Sequence, residues 1–123
     1  MIKNILLIAL GGGLGSALRY LASIGVEKIW VNKLYYATFI VNVIGCFLIG
    51  LLMGYLQKNE TDNSALKLLL ITGFCGGFTT FSTFGLENYN LLQSQNYITS
   101  LFYIATSIII GIVFVGIGIH LTK

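Results

Sequence analysis

Residues 73–84 concentrate small and hydroxyl side chains in an otherwise apolar stretch. The segment reads GFCGGFTTFSTF, with three glycines and four serine or threonine residues. Glycine is a poor helix former and threonine an indifferent one, so we predict that a helix breaks near Gly76–Thr80. Lipid cannot satisfy the freed backbone groups, which must therefore be buried in protein or line a polar cavity. Carbonyl groups that face their symmetry copies across a dimer axis would suit a small hard cation.

Asn42 and two phenylalanines supply groups that suit a small anion. The Asn42 amide, within the apolar run VNVIGCFLIG, carries two N–H donors. Phe81 and Phe84 are three residues apart and share one face of a resumed helix, where their electropositive ring edges can contact an anion. Weak binding at several such groups, with the hydroxyls nearby, is what ion conduction requires. An interhelical hydrogen bond of Asn42 and ordinary packing of the two rings remain alternatives.

Three further polar features accompany the apolar stretches. Arg19 ends the first stretch and either reaches the membrane surface or lends positive charge to a vestibule. Glu87 is the one acidic residue inside a predicted span. Tyr103, Ser107 and Gly111 recur every four residues, which places two hydroxyls on one stripe of a helix. That stripe can serve as a hydrogen-bonded seam between helices or as a pore wall.

The composition indicates that membrane-spanning helices position these residues. Of the 123 residues, 56% are hydrophobic and 9% are charged, whereas about a quarter are charged in an ordinary soluble chain. About 20 apolar residues span the hydrocarbon core as a helix. Four stretches qualify, at about 4–24, 36–56, 65–92 and 97–121. The sequence therefore predicts a single all-α transmembrane domain over residues 1–123, with four helices and the third broken mid-membrane.

Composition and motifs argue against several other classes. The net charge is +3, but the basic residues form no cluster, so a nucleic-acid footprint is absent. GGGLG follows no predicted strand, which argues against a nucleotide-binding turn. No HExxH, GxSxG or paired aspartates indicate an enzyme. Cys46 and Cys75 match no metal-binding spacing and are interpreted as small apolar residues.

The basic residues carry almost no orientation signal. With four spans, one side receives four of them and the other three: Lys3, Lys58, Lys67 and Lys123 against Arg19, Lys28 and Lys33. So small a difference is a very weak positive-inside bias. We predict that the chain inserts both ways and that opposite copies pair as an antiparallel homodimer with a two-fold axis in the membrane plane. The alternative is that the single extra charge fixes the amino terminus in the cytoplasm.

The sequence resembles the Fluc fluoride channels, the CrcB family, over essentially its whole length. The resemblance rests on GGGLGSALRY in the first segment, VNVIGCF in the second and GFCGGFTTFSTF in the third, the most specific of the three. It implies a dual-topology antiparallel homodimer in the cytoplasmic membrane of a prokaryote, with two fluoride pores and one central sodium ion. It also implies passive export of fluoride, driven by the membrane potential without ATP, which protects the cell from fluoride.

The resemblance implies roles for individual residues. Asn42 matches the pore asparagine, and Phe81 and Phe84 match the rings that line the fluoride path. Gly76 and Thr79 match positions whose backbone carbonyls, from both subunits, hold the sodium ion. The other matches are the third-segment hydroxyls, the basic residue that closes the first motif and a polar track further along the pore: Thr80, Ser82, Thr83, Arg19, Glu87, Tyr103 and Ser107. Gly111 stands at the next position of that track and lacks a hydroxyl.

Two other functions remain open from the residues. A proton-coupled small multidrug exporter also has four helices and dual topology, but it needs a carboxylate at membrane depth, for which Glu87 is the candidate. A non-catalytic membrane assembly subunit would use its polar groups only for helix packing. Such a subunit would tolerate the loss of Asn42 or Phe81, whereas a channel would not.

Overall fold

The chain folds into long helices joined by short connections. The computed structural model describes residues 1–59 and 63–122, and these residues contain helices, turns and bends but no strand. Helix α1 spans Ile2–Ile29, α2 spans Leu34–Lys58 and α6 spans Tyr97–Thr122. Between α2 and α6 lie four shorter elements: α3 (Ser64–Leu66), a π-helix (Lys67–Cys75), α4 (Gly76–Phe78) and α5 (Ser82–Gln93). Lys123, which entered the charge count, lies outside the described residues.

Four helical stretches are long and apolar enough to cross a membrane. They are α1, α2, the run Ser64–Gln93 and α6. Large apolar side chains such as Leu10, Leu14, Ile109 and Ile112 are exposed on the outside of the chain. Such exposure suits contact with lipid tails rather than water. The prediction of an all-α chain with four helices that can span a membrane is confirmed.

Glycines bring the helices into close contact in two pairs. Helix α1 packs against the π-helix and α4, and α2 packs against α6. A Cβ atom on Gly77 would lie 2.5 Å from the carbonyl oxygen of Gly12 on α1. In the second pair, a Cβ atom on Gly118 would lie 2.5 Å from the carbonyl oxygen of Phe47. Real Cβ atoms do not approach other atoms so closely, so both interfaces require glycine, as small-residue packing in membranes commonly does.

Within the run from residue 64 to residue 93, Thr79–Phe81 belong to no helix. Thr79 is extended, with φ −90° and ψ 162°, and α5 begins at Ser82. Gly76 keeps helical angles, and so does the rest of α4. Packing against α1 holds the glycines in the helix despite their low propensity, which tertiary contacts routinely override. The residues between α4 and α5 are therefore Thr79, Thr80 and Phe81, and Phe81 itself has helical dihedral angles, φ −90° and ψ −36°.

Candidate functional site

The Asn42 amide pairs with the non-helical backbone at Thr80. Asn42 Nδ2 donates to the Thr80 carbonyl oxygen at 3.1 Å, and the Thr80 N–H donates to Asn42 Oδ1 at 2.8 Å. The Asn42 side chain thus pairs with both the N–H and the C=O of Thr80, which lies between two helices and lacks helical hydrogen bonds for these groups. One N–H of the amide is taken by this pairing. The second N–H of the amide makes no hydrogen bond to the part of the chain that the structure describes.

The carbonyl groups of Gly76 and Thr79 lose the donors that a continuous helix would direct at them. In an α-helix, each N–H donates to the carbonyl four residues earlier, so Thr80 would donate to Gly76 and Thr83 would donate to Thr79. Here the Thr80 N–H bonds Asn42 instead, and the Thr83 N–H bonds Thr80 Oγ1 at 3.2 Å. Both residues line the same cavity. Two backbone oxygens are therefore available at the positions predicted to hold a cation.

Arg19 lies against the backbone at the end of α4. Its Nε donates to the carbonyl oxygen of Gly77 at 3.0 Å, and Ser16 Oγ reaches the same oxygen at 3.4 Å. Residue 81, which a continuous helix would use as the donor to Gly77, is outside the helix. The guanidinium group thus satisfies a carbonyl that the end of α4 exposes.

A cavity of about 450 Å³ brings together many of the predicted site residues. Its lining includes the following side chains and backbone positions: Asn42, Gly76, Thr79, Thr80, Phe81, Phe84 and Ser107. Ser107 Oγ is buried and makes no hydrogen bond to the part of the chain that the structure describes. An unpaired buried hydroxyl is costly, which sets Ser107 apart from the other hydroxyl residues of the described chain. None of the lining side chains is charged.

The two predicted phenylalanines differ in their exposure. Their rings are 6.0 Å apart, between centroids, at an angle of 40°. Phe84 is half-buried and meets the Tyr103 ring edge-on, with 5.0 Å between the centroids. Phe81 is 83% exposed in the isolated chain. The Phe81 ring therefore offers most of its surface to something outside this chain.

Glu87 joins three helices through its carboxylate. Tyr103 on α6 donates its phenolic O–H to Glu87 Oε1 at 2.8 Å, and Thr38 on α2 donates to Oε2 at 2.9 Å. The carboxylate is thus held in place by α2 and α6 instead of facing lipid.

The Thr80 hydroxyl forms a hydrogen bond to the backbone at the start of α5. Thr80 Oγ1 accepts from the Thr83 N–H, as a capping residue does at the start of a helix, and lies 3.5 Å from Ser82 Oγ. The Ser82 side chain is exposed and Thr83 is half-buried. On the α6 stripe, a Cβ atom on Gly111 would lie 3.3 Å from Cys46 Sγ. A thiol therefore adjoins the position where the polar track lacks a hydroxyl.

Four residues of the site were missed at the sequence level. Thr38 precedes Asn42 by four residues, so their shared face on α2 is a signal that was available. Gly45 is packed against the Thr79 methyl group, and only a glycine leaves room there. Asn88 Oδ1 accepts from the fully buried Ser100 Oγ at 2.9 Å, while Asn88 Nδ2 donates to the Phe84 carbonyl. The Ser100 contact has no sequence signature, because it depends on how α5 and α6 pack.

The model of the CrcB-like protein family, described as Camphor Resistance (CrcB), matches residues 6–119. The chain belongs to this family. Its similar proteins include a fluoride-specific ion channel FluC of Flavobacterium psychrophilum, 47% identical over 98% of this chain and 98% of the relative. The FluC of Azobacteroides pseudotrichonymphae is 46% identical over 100% of this chain and 98% of the relative, and that of Gloeothece citriformis is 46% identical over 98% and 97%. CrcB-like membership and four spanning helices together identify a multi-pass membrane protein.

Proposed function

We propose that this chain forms a fluoride-selective channel that lets cytoplasmic fluoride leave the cell by passive electrodiffusion. The observation that carries the proposal is the uncharged cavity, where the Asn42 amide, the Ser107 hydroxyl and the rings of Phe81 and Phe84 converge. The relatives named fluoride-specific ion channels, at 46–47% identity, support the choice of ion. We place the protein in the cytoplasmic membrane of a prokaryote, where it would limit fluoride toxicity.

The cavity suits an ion that exchanges water for several weak contacts. The second Asn42 N–H and the unpaired Ser107 O–H are neutral donors, and the ring edges of the phenylalanines carry partial positive charge. No lining side chain carries a full positive charge that would hold an anion too tightly to release. Conduction needs binding of this kind, favourable enough for entry and weak enough for exit.

We infer that the working unit is an antiparallel homodimer of oppositely inserted copies. The 83% exposure of Phe81 beside the cavity supports this, because a ring that lines a water-filled path needs a facing wall. The nearly balanced basic residues allow both orientations in the membrane. Two-fold symmetry then gives two equivalent fluoride paths.

The carbonyl groups of Gly76 and Thr79 would hold a structural sodium ion at the dimer axis. Both oxygens lack their helical donors, and hard monovalent or divalent cations prefer oxygen ligands. The positive charge of a bound sodium ion would attract these carbonyl oxygens in both copies and so stabilise the dimer. The groups present fit this role, since four carbonyl oxygens from two copies can surround one ion. Replacing sodium by N-methylglucamine should lower the thermal stability of the dimer in detergent, and an unchanged stability would contradict the sodium site.

Liposome efflux tests the proposed function. Purified protein in vesicles loaded with potassium fluoride should release fluoride to an electrode when valinomycin carries the counter-charge, and it should do so without a pH gradient. A proton-coupled exporter would instead require the pH gradient and would depend on Glu87. Phe81→Ala should abolish the flux, whereas Ile112→Ala, which truncates an exposed side chain on α6, should not. Equal flux in the two variants would favour a packing role for the phenylalanine and contradict the proposal.

A further inference from the structure

A second cavity lies where α2 and α6 begin. It encloses about 470 Å³, and its lining includes Lys33, Tyr35, Phe39, Phe102 and Tyr103. Lys33 belongs to the connection between α1 and α2, outside the spanning helices, and its side chain is exposed. Its Nζ donates to the Tyr35 hydroxyl at 3.2 Å and lies 5.6 Å from the centroid of that ring. Among residues 1–59 and 63–122, Lys33 is the only charged one that lines this cavity.

The linings of the two cavities contact each other through one pair of aromatic rings. Tyr103 lines the second cavity and Phe84 lines the first, and their ring centroids are 5.0 Å apart in an edge-on contact. On its other side, Tyr103 contacts Tyr35, with 5.6 Å between the centroids. Tyr35, Tyr103 and Phe84 thus form a continuous row from Lys33 to the uncharged cavity. The hydrogen bond from Tyr103 to Glu87 fixes the middle of that row.

We propose that the second cavity is a mouth of the fluoride path and that Lys33 concentrates fluoride there. This role rests on the proposed function. The uncharged cavity has no charged side chain in its lining, so long-range attraction of the anion must come from the charge of Lys33 at the second cavity. Clefts lined by one sign of charge raise the local concentration of the opposite ion. The position of Lys33 outside the hydrocarbon region lets the ion shed its water in two stages, first beside the ammonium group and then among neutral donors.

The Lys33 side chain is protonated and positively charged at the near-neutral pH of a flux assay. The hydrogen bond with the Tyr35 hydroxyl raises the pKa of Lys33 above its ordinary value. A unit charge about 6 Å from a monovalent anion in water changes its local concentration roughly threefold. This sets the size of the expected effect, because entry is proportional to local concentration when fluoride is far from saturating.

The test compares Lys33→Gln with wild type in vesicles of phosphatidylcholine, which carry no net charge. At about 10 mM salt, the initial fluoride flux of Lys33→Gln should fall about threefold. At about 1 M of an impermeant salt the two proteins should be equal, because the Debye length drops to about 3 Å. Lys28→Gln is the matched control, since Lys28 lies on the same side of the chain but does not line the cavity. It should leave the flux unchanged.

A charge-restoration experiment separates charge from side-chain shape. In Lys33→Cys, a methanethiosulfonate reagent that adds an ammonium group should restore the low-salt flux, and one that adds a sulfonate should reduce it further. Wild type treated with the same reagents controls for Cys46 and Cys75. Unchanged flux in Lys33→Gln at low salt, or no difference between the two reagents, would overturn the role of Lys33.

Two other outcomes are also decisive. A deficit of Lys33→Gln that appears only after phosphatidylglycerol is added would show that Lys33 binds a lipid headgroup, and would overturn the proposal. Absence of fluoride flux in wild type would overturn the proposed function itself, and the role of Lys33 with it. Normal wild-type flux with an unaffected variant would overturn the role of Lys33 alone.

Discussion

Replacing Asn42 by alanine should destabilise the interruption as well as remove a contact to the ion. Asn42 makes two hydrogen bonds to the Thr80 backbone, at 3.1 and 2.8 Å, and its loss leaves one N–H and one C=O without a protein partner. An unsatisfied buried polar group costs about 1–3 kcal/mol. Thr80 lines a cavity, so water partly compensates and each group falls in the lower part of that range. We therefore expect Asn42→Ala to lower the free energy of unfolding by about 2–4 kcal/mol.

Unfolding in mixed micelles measures this loss, and fluoride efflux from liposomes measures the accompanying loss of conduction. Ile44→Ala is the matched control, because Ile44 lies on the same helix and its side chain is 43% exposed. We expect that control to change the stability by less than about 0.5 kcal/mol. If Asn42→Ala were as stable as Ile44→Ala while fluoride flux was lost, Asn42 would act on the ion alone and the backbone pairing would be unimportant.

Three further substitutions probe different parts of the site. Gly77→Ala should destabilise the chain by about 2 kcal/mol, because its Cβ would lie 2.5 Å from a carbonyl oxygen of α1. Gly13→Ala is the control and should not destabilise the chain, since the space around Gly13 is open. Unfolding in mixed micelles compares the two variants, and equal stability would contradict the close helix contact. Tyr103→Phe removes one hydrogen bond from Glu87 and should cost about 1–2 kcal/mol in the same assay, with no change counting against the three-helix bridge. Ser107→Ala breaks no hydrogen bond of the described chain, so it should not lower the stability. It should still reduce fluoride flux about tenfold, because the proposed contact between the hydroxyl and the ion is lost. Full flux in this variant would show that the hydroxyl is not part of the path.

The four spanning helices could be predicted because the bilayer imposes a simple rule on composition. Stretches of about 20 apolar residues separated by short polar connections leave few alternatives. A break of the third helix near Gly76–Thr80 was also predicted, from glycine and threonine propensities. The structure keeps Gly77 helical, where it packs against α1, and assigns no helix at Thr79–Phe81. A broken third helix in the membrane stays a prediction, because tertiary contacts as well as local propensity decide where such a helix ends.

The partners of the polar groups could not be predicted, because they depend on the packing between helices distant in sequence. Asn42 was identified as a donor, but its pairing with Thr80 requires α2 to lie beside the interruption. Arg19 was expected either at the membrane surface or in a vestibule, and its hydrogen bond to Gly77 depends on the close approach of α1 to α4. The π-helix at Lys67–Cys75 has no sequence signature either. Nine π-helical residues are unusual, since such geometry is mostly confined to single turns.

Selectivity between fluoride and chloride tests the central claim most directly. The same preparation of proteoliposomes is loaded with equal concentrations of potassium fluoride and potassium chloride, and ion-selective electrodes record both anions after valinomycin is added. The neutral donors and ring edges that line the cavity should favour the smaller anion. We expect rapid release of fluoride while chloride stays inside the vesicles. Equal release of the two anions, or release of neither, would contradict the account.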